Sequence, residues 1–443
     1  MNVLFIVSDD LCNAIGCYGH PLIKTPNIDK LAARGVKFER AYCQYPLCNP
    51  SRASFLTGYR PDTIRVYDNA VQFRKNKPDA VTLPQTFRKA GYFVARVGKL
   101  YHYGVPLQIG TDGLDDPESW EKVVNPRGRD RDDEDKIFSL TPGKFGGSLS
   151  WLAADGKDDE QTDAIGAKET IRLLEQKAGE PFFIACGFYR PHTPFVAPKA
   201  YFDLYRLDKI TLPMVPENHR DSAPTFAFQS YKKEQDKLTD PMRKECLQAY
   251  YASTTFMDAQ VGRVLDSLER LKIHEKTIVV FISDHGYHLG EHGLWQKQSL
   301  FENSARVPMI VYDPRMKPAQ HQCGRTVELT DLHPTLADLV GIPAPIDLDG
   351  KSMKKLLEDP VSNWDRPALT QVVRGNAKQK QVRGYSIRTE QYRYTEWGPN
   401  GTLGKQLYDY TNDPGELTNL ANDKKHQDIV AKMQALLNKE IKR

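Results

Sequence analysis

Four short apolar segments constrain the fold of this chain, because each one runs directly into polar, titratable side chains. The segments are VLFIV before Ser8, Asp9 and Asp10, FVARV before Lys99 and His102, FFIACGF before His192, and TIVVFIS before Asp284 and His285. Short apolar, β-branched runs that alternate with helical patterns are typical of a mostly parallel α/β sheet. Ligands bind at the carboxyl edge of such a sheet, so we expect these side chains to converge there.

The chain as a whole predicts a large catalytic domain over residues 1–360 and a small domain over residues 361–443. Helical patterns fill the gaps between the apolar segments, for example over residues 162–177 and 244–271. Past residue 360, the alternating pattern of GYSIRTEQYRYTEW predicts an antiparallel hairpin, and residues 424–441 predict a closing helix.

Two stretches, residues 114–150 and 212–239, show no regular pattern. We interpret both as long surface insertions, which in compact enzymes often frame a pocket. The first contains NPRGRDRDDEDK, which we interpret as a solvated run of charges.

The composition narrows the class of protein. The 443 residues include 61 basic and 57 acidic side chains, and the formal net charge of +4 predicts no surface for nucleic acid. The apolar runs have the length of strands, so we expect no membrane span. The first residues already predict a strand and not a signal peptide, so the protein is either cytoplasmic or has had an export signal removed.

Asp9, Asp10 and Asp284 form a candidate ligand set for a divalent cation. Adjacent side chains of a continuing strand point to opposite faces, so Asp9 and Asp10 share a target only if the strand ends there. Carboxylate oxygens are suitable ligands for a hard cation, and His285 would add one nitrogen. In the alternative interpretation, these acids only cap the loops that follow their strands.

Cys48 stands at the start of a helical pattern, and Arg52 lies one turn further along the same face. A helix N-terminus has a positive potential that stabilises an anion or a developing oxyanion. A buried structural thiol is one alternative. Zinc binding is another, because Cys12/Cys17 and Cys43/Cys48 are C-x4-C pairs at the edge of zinc-site spacing.

Fixed cations and histidines complete the predicted site: Arg52, Lys99 and Lys297, with His102, His192 and His285. Together with a metal they suit a small, strongly anionic tetrahedral group such as sulfate or phosphate. Histidine titrates near neutral pH, so it can protonate a leaving oxygen or remove a proton. Taken alone, each histidine could equally be a surface or core residue.

The stretch CNPSRASFLTG, from Cys48 to Gly58, resembles the C-x-P-S-R-x-x-x-L-T-G signature of type I sulfatases at every fixed position. The segments SDD, GKLYH, PHTPF and SDHGYHLGEHGLWQK resemble the other catalytic motifs of that family, in order. The last of these and GYSIRTEQYRYTEW look most like the iduronate 2-sulfatase branch. The resemblance implies an alkaline-phosphatase-like sulfatase fold, with a large mixed, mostly parallel sheet flanked by helices and a smaller C-terminal α+β domain.

The resemblance also implies that a formylglycine-generating maturation enzyme oxidises Cys48 to Cα-formylglycine, beside one bound Ca²⁺. In the family, one hydroxyl of the hydrated aldehyde attacks sulfur, and deprotonation of the other then expels sulfate. Carried over to this chain, the implied metal ligands are Asp9, Asp10, Cys48, Asp284 and His285. The implied catalytic residues are Cys48, Arg52, Lys99, His102, His192 and Lys297.

Each implied catalytic residue has an expected role. Arg52 would steady the diol, Lys99 and Lys297 would bind sulfate oxygens, and His102 would assist the elimination. His192 or Lys297 would protonate the leaving oxygen.

The iduronate-type match implies removal of a 2-O-sulfate from a uronic acid at the end of a sulfated glycan or oligosaccharide. Candidates to contact the sugar are Tyr103, Arg190, His288, His292 and Trp295. We expect a periplasmic or secreted enzyme. Two other functions stay open: a phosphatase or phosphonate monoester hydrolase of the alkaline phosphatase superfamily, and a non-catalytic protein that binds sulfated glycans.

Overall fold

A computed structural model of the protein describes residues 1–375 and 381–441. Its strands are β1 (Asn2–Ser8), β2 (Val36–Tyr42), β3 (Phe93–Gly98), β4 (Lys122–Val124), β5 (Phe138–Ser139), β6 (Ser150–Ala154), β7 (Phe182–Gly187), β8 (Phe195–Pro198), β9 (Thr277–Ser283), β10 (His288–Leu289), β11 (Trp295–Gln296), β12 (Arg306–Val307), β13 (Met309–Tyr312), β14 (Gln322–Glu328), β15 (Ala368–Arg374), β16 (Val382–Arg388), β17 (Tyr392–Trp397) and β18 (Lys405–Asp409). Its α-helices are α1 (Pro26–Arg34), α2 (Cys48–Thr57), α3 (Pro61–Ile64), α4 (Leu83–Lys89), α5 (Arg129–Asp132), α6 (Thr162–Lys177), α7 (Lys199–Phe202), α8 (Asp240–Arg270), α9 (Glu302–Ala305), α10 (Leu332–Val340), α11 (Lys354–Glu358) and α12 (Gln427–Glu440).

A nine-stranded sheet forms the centre of the molecule, in the order β12-β2-β13-β9-β1-β7-β3-β4, with β14 beside β2. The strands from β9 to β4 run parallel to one another. By contrast, β12 and β13 are antiparallel to their neighbours. The sheet is therefore mixed but mostly parallel, which confirms the predicted class of fold.

Helices cover both faces of this sheet. Val3, Phe5 and Val7 of β1 face the layer that contains α2, α4 and α10. Leu4 and Ile6 face the layer of α1, α6 and α8. Successive side chains of a strand point to opposite faces, so a strand that is covered on both faces reads as a continuous apolar run.

A four-stranded antiparallel sheet, β15-β16-β17-β18, follows the main sheet in the chain. Helix α12 packs on one of its faces through Val430, Met433 and Leu437. The predicted hairpin is the β16–β17 pair. The small C-terminal domain is thereby confirmed as an antiparallel, helix-covered unit, while its boundary near residue 360 stays a prediction.

The first irregular insertion is more than a solvated run of charges. Asp130 is only 2% exposed and accepts hydrogen bonds from Thr162 and from the guanidinium of Arg190. Its neighbours Arg127 and Asp132 are exposed, as the charge pattern predicted. One acid of the run is therefore an internal partner for the loop that carries His192.

The second insertion, residues 212–239, consists mainly of short 3-10 turns between Asn218 and Leu238. No helix within the described residues is both long and apolar enough to span a bilayer.

Candidate active site

The carboxyl ends of β1, β3, β7 and β9 lie level with one another. Ser8 pairs with Ser283, Val7 with Gly187, and Gly98 with Gly187. The polar residues that follow these strands therefore share one edge of the sheet. The structure therefore brings these side chains together at one edge of the sheet, as predicted.

Helix α2 brings Cys48 to that edge. Leu47 precedes the helix in an extended conformation, and Cys48 is the first helical residue. All residues of α2 are buried, and Cys48 is only 1% exposed. A buried helix N-terminus places the side chain of Cys48 in a positive potential that water screens little.

The thiol of Cys48 lies among charged groups of both signs. Its Sγ atom is 3.2 Å from Lys297 Nζ, 3.4 Å from His285 Nε2, 3.7 Å from Asp9 Oδ1 and 4.0 Å from Asp10 Oδ1. Burial alone would raise the pKa of the thiol, but the charges of Lys297, Lys99 and His285 bring it well below its usual value. The environment of residue 48 therefore stabilises an anion there.

Arg52 ties two strand ends together. Its Nε donates to Asp284 Oδ2 at 2.8 Å, and its Nη2 donates to Asp9 Oδ1 at 3.0 Å. Its Nη1 donates to the carbonyls of Lys99 and Leu100, at 2.7 and 2.9 Å. Each of the three guanidinium nitrogens donates within the protein, so Arg52 fixes the two carboxylates in place.

Two lysines lie opposite the adjacent aspartates. Lys99 Nζ donates to Asp9 Oδ2, and Lys297 Nζ donates to Asp10 Oδ1, each at 2.5 Å. Burial would raise the pKa of Asp9, but Lys99 and the neighbouring cations hold it well below its usual value. Burial likewise opposes the charge of Lys297, yet Asp10 and the other nearby anions raise its pKa far above the usual value. Lys297 is therefore a fixed cation and a poor proton donor.

The donor set is suitable for a divalent cation. Two overlapping groups, Asp9-Cys48-Asp284-His285 and Asp9-Asp10-Cys48-His192, have ligand atoms within 4.8 Å of one another. Asp10 Oδ2 is buried and has no hydrogen-bond partner in the described residues. Neither group contains Cys12, Cys17 or Cys43, so the C-x4-C spacing does not form a zinc site within the described chain.

His285 is oriented for metal binding. Its Nδ1 lies 2.9 Å from the Gly286 carbonyl, which can only accept, so Nδ1 carries the proton. Its Nε2 then points at Asp10 Oδ1 and Asp284 Oδ2, at 3.3 and 3.5 Å. Burial opposes protonation of Nε2, but Asp284 raises the pKa of His285 to about 9. A carbonyl that orients the far side of a ligating imidazole is the usual arrangement around a bound metal.

His192 and His102 lie on the more open side of the cluster. His192 Nδ1 donates to the Thr193 carbonyl, which leaves Nε2 facing Asp10 Oδ2 at 3.8 Å. Burial lowers the pKa of His102, so this imidazole is neutral near pH 7. Its buried Nδ1 has no hydrogen-bond partner among the described residues.

Two of the candidates for sugar contact have other partners. Tyr103 is buried, and its hydroxyl donates to Asn125 Oδ1 at 3.0 Å. Arg190 is buried, pairs with Asp130, and donates to the Pro194 carbonyl at 2.6 Å. The polar atoms of both residues are used within the protein, and Arg190 holds the loop around His192, while contact of either residue with a sugar stays a prediction.

The other three candidates are also packed inside the protein. His288 Nε2 lies 2.6 Å from Ser299 Oγ, and burial lowers the pKa of this histidine to about 3. His292 stacks on Phe301 with ring centroids 3.9 Å apart, and burial lowers its pKa to about 2. Trp295 belongs to a buried apolar cluster. These neutral, packed side chains support the segment that ends at Lys297, and their contact with a sugar stays a prediction.

Two further residues near the site, Asp163 and Lys232, carry no functional signal in the sequence. Asp163 of α6 accepts from the backbone N–H groups of Tyr189 and Arg190, each at 2.9 Å, and so fixes the chain before His192. Lys232, from the second insertion, reaches the carbonyl of Gly147 at the mouth of the site. Only the folded chain brings either residue here: the helical pattern that contains Asp163 does not reveal its partners, and Lys232 belongs to a segment without periodicity.

The fold and the site together define a class of protein. A parallel sheet edge that holds an anion-stabilising residue at a helix N-terminus, a candidate cation site and two fixed lysines is built to hydrolyse esters of tetrahedral oxyanions. A family model described as "Sulfatase" matches residues 1–342, and one described as "N-sulphoglucosamine sulphohydrolase, C-terminal" matches residues 290–443. The chain belongs to the sulfatase family and is a sulfuric ester hydrolase.

Individual relatives agree with this assignment. Iduronate 2-sulfatase of Mus musculus is 33% identical, over 96% of this chain and 92% of its own length. A sulfatase of Formosa agariphila is 32% identical, over 99% of this chain and 86% of its own length. The resemblance that the motifs indicated is therefore confirmed.

Solved structures show the same fold. A 2-O GAG sulfatase has a TM-score of 0.77 and 25% identity, covering 100% of this chain and 92% of its own. A phosphonate monoester hydrolase of Agrobacterium radiobacter has a TM-score of 0.83 and 24% identity, covering 99% of this chain and 96% of its own. The second likeness concerns the fold alone.

Proposed function

We propose that this sulfatase removes a 2-O-sulfate from a uronic acid at the end of a sulfated glycan. The proposal is supported by similarity along nearly the whole chain to iduronate 2-sulfatase of Mus musculus, and by similarity to a 2-O GAG sulfatase. The observation that carries the reaction is the position of Cys48 Sγ, which lies 3.2 Å from Lys297 Nζ and 3.4 Å from His285 Nε2.

In this proposal a maturation enzyme converts Cys48 to Cα-formylglycine, and one Ca²⁺ is held by Asp9, Asp10, Asp284, His285 and residue 48. When bound, the cation would polarise the sulfate and lower the pKa of the nucleophilic hydroxyl that residue 48 presents. Calcium prefers oxygen ligands, and the three carboxylates offer six oxygens. Arg52 keeps two of these carboxylates in position through its bonds to Asp9 and Asp284.

Lys99 and Lys297 bind the sulfate oxygens. Both ammonium groups contact carboxylates that would hold the cation, so a sulfate between the lysines would lie next to these carboxylates and next to residue 48. Fixed charges that are already aimed at the developing oxyanion stabilise the transition state without reorganisation.

Proton transfer is assigned to the two histidines of the open side. His192 protonates the leaving sugar oxygen from Nε2, because its Nδ1 proton is used by the Thr193 carbonyl. Lys297 is the weaker candidate for this role, since its raised pKa keeps it charged. His102, neutral near pH 7 and with its Nδ1 unpartnered in the described residues, accepts the proton from residue 48 in the second half of the reaction.

The proposed substrate is an extracellular glycan, so we also propose a periplasmic or secreted location.

The test begins with protein produced together with a formylglycine-generating enzyme. Mass spectrometry of the peptide that contains residue 48 is expected to show the aldehyde, and active protein with an unaltered thiol would contradict the mechanism. Turnover is then compared on an aryl sulfate, an aryl phosphate and a 2-O-sulfated uronic acid disaccharide, with Cys48→Ala as the inactive control. A preference for the phosphate would contradict the assigned chemistry, and a preference for a 6-O-sulfated hexosamine would contradict the proposed substrate.

A further inference from the structure

The active-site cluster has one open side. The side chains of Asp9, Asp10 and Asp284 have no exposed surface. By contrast, Lys297 is 13% and His192 is 7% exposed. A sulfate ester therefore enters past Lys297 and His192, and the sugar that it carries lies beyond them.

Gly146 and Gly147 line this open side. A Cβ atom added at Gly146 would lie 3.8 Å from His192 Cε1, so this glycine packs beside the imidazole. A Cβ atom added at Gly147 would meet nothing within 4 Å, so the space in front of this residue is open. The sugar ring of a bound ester has room in front of Gly147.

Lys232 brings its ammonium group to the edge of this space, beside the Gly147 carbonyl. Lys232 Nζ donates to the Gly147 carbonyl, and Gln296 Nε2 donates to the same carbonyl at 3.4 Å. Gln296 directly precedes Lys297 in the chain. The ammonium of Lys232 thus lies between the loop beside His192 and the segment that carries Lys297.

Lys232 forms no ion pair with an acid within the described residues. The ion pairs of the described residues do not include Lys232, whose ammonium is bound to a carbonyl. Burial lowers the pKa of Lys232, Glu234 opposes this effect, and the nearby charge of Lys297 adds to it. A half-buried cation beside a second cation is stabilised when an anion binds next to it.

We propose that Lys232 binds a second anionic group of the substrate, the carboxylate of the sulfated sugar, while Lys99 and Lys297 hold the sulfate. This inference rests on the proposed function, because a uronic acid carries a carboxylate on the same ring as the sulfate ester. It makes Lys232 a specificity-determining residue, distinct from the residues that take part in breaking the S–O bond.

The experiment compares three substrates: a 2-O-sulfated uronic acid disaccharide, the same disaccharide with its carboxylate reduced to an alcohol, and an aryl sulfate whose aryl group carries no charge. For Lys232→Gln we expect kcat/KM on the first substrate to fall about 10- to 100-fold, mainly through KM, since a lost charged hydrogen bond weakens ground-state and transition-state binding alike. Turnover of the two substrates without a carboxylate is expected to change little. Lys232→Arg is expected to restore most of the loss, and Lys233→Gln, which removes the neighbouring exposed lysine, is the matched control.

Each result of this comparison either supports or overturns the assigned role of Lys232. An equal loss on all three substrates would show that Lys232 only anchors the Gly147 loop, and no loss on any would also overturn the inference. If the wild-type enzyme itself does not distinguish the uronic acid from its alcohol analogue, the proposed substrate is wrong. If it does distinguish them and Lys232→Gln keeps the preference, the inference alone is wrong.

Discussion

Arg52 Nε donates to Asp284 Oδ2 at 2.8 Å, and both side chains are fully buried. The same guanidinium donates to Asp9 Oδ1 at 3.0 Å, so one side chain joins acids that follow two neighbouring strands. The planar fork of arginine bonds two acceptors at once, which a single ammonium cannot do with the same geometry.

Arg52→Lys is therefore expected to destabilise the protein and weaken metal binding. One carboxylate would lose its buried partner, at a cost of about 2–4 kcal/mol in the free energy of unfolding. Chemical denaturation and calorimetric titration with Ca²⁺ measure the two effects. The control is Arg34→Lys, whose ion pair with Glu269 is half-exposed and contributes at most about 0.5 kcal/mol. Equal stability of the two variants would contradict the prediction.

His192→Ala is expected to slow the enzyme in a manner that depends on the leaving group. A sugar alkoxide needs a proton as it departs, so kcat on a sulfated sugar should fall about 10²- to 10⁴-fold. A nitrophenolate leaves without that help, so the loss on nitrophenyl sulfate should be much smaller. A series of aryl sulfates of graded phenol pKa measures this dependence, and His426→Ala is the remote control. A uniform loss along the series would mean that His192 is not the acid.

His333 is expected to link the stability of the fold to pH. It is buried with Nε2 2.8 Å from Thr86 Oγ1, and burial lowers its pKa from 6.5 to about 4. The unfolded chain takes up a proton below pH 6.5, whereas the folded protein resists until about pH 4. The stabilisation from neutral His333 is thus complete above pH 6.5 and is lost as the pH falls, by about 2–3 kcal/mol at pH 4.5.

His333→Gln has no such titration. The difference in free energy of unfolding between wild type and variant should therefore shrink by that amount from pH 7 to pH 4.5. Denaturation curves at the two pH values check this, and parallel curves for the two proteins would refute it.

Arg374 is a buried cation that has no carboxylate partner among the described residues. It is 6% exposed, its Nε donates to the Phe226 carbonyl at 3.1 Å, and its Nη2 has no hydrogen-bond partner within the described residues. The other buried arginines pair with acids; they are Arg52, Arg60, Arg96, Arg190, Arg388 and Arg393. Burial lowers the pKa of Arg374 to about 10, which reflects the cost of keeping its charge.

Arg374→Met is accordingly expected to leave the free energy of unfolding unchanged or to raise it by about 1–2 kcal/mol. Arg60→Met is the matched control, because it would remove one of the two arginine partners of buried Glu328 and the arginine partner of Glu440, at a cost of about 2–3 kcal/mol. Thermal and urea denaturation of both variants provide the comparison. A loss of similar size in both would contradict the prediction.

The strand ends were predictable from the sequence because they depend on local pattern alone. An apolar run that stops at Asp9 or Asp284 marks the end of a strand, and parallel strands end at one edge. Helix boundaries were less accurate: α8 begins at Asp240, before the predicted residue 244, because the Thr239 side chain accepts from the N–H of Met242.

Side-chain direction outside the motifs was not predictable. His288 lies close to Lys297 in sequence, yet the β10–β11 hairpin places it against Ser299. Lys232 lies in a segment without periodicity, so its position depends on how that segment packs on Gly147. Contacts of this kind are decided by tertiary packing, which the order of the residues alone does not reveal.

The burial of every residue of α2 also determines when Cys48 is accessible to a modifying enzyme. Cys48 is the first residue of a helix that has no exposed residue. A modifying enzyme therefore could not bind the segment around Cys48 once the chain has folded. The proposed conversion of Cys48 to formylglycine must therefore precede folding. Under that proposal, protein that has folded with its thiol intact stays inactive until it is unfolded, modified and refolded.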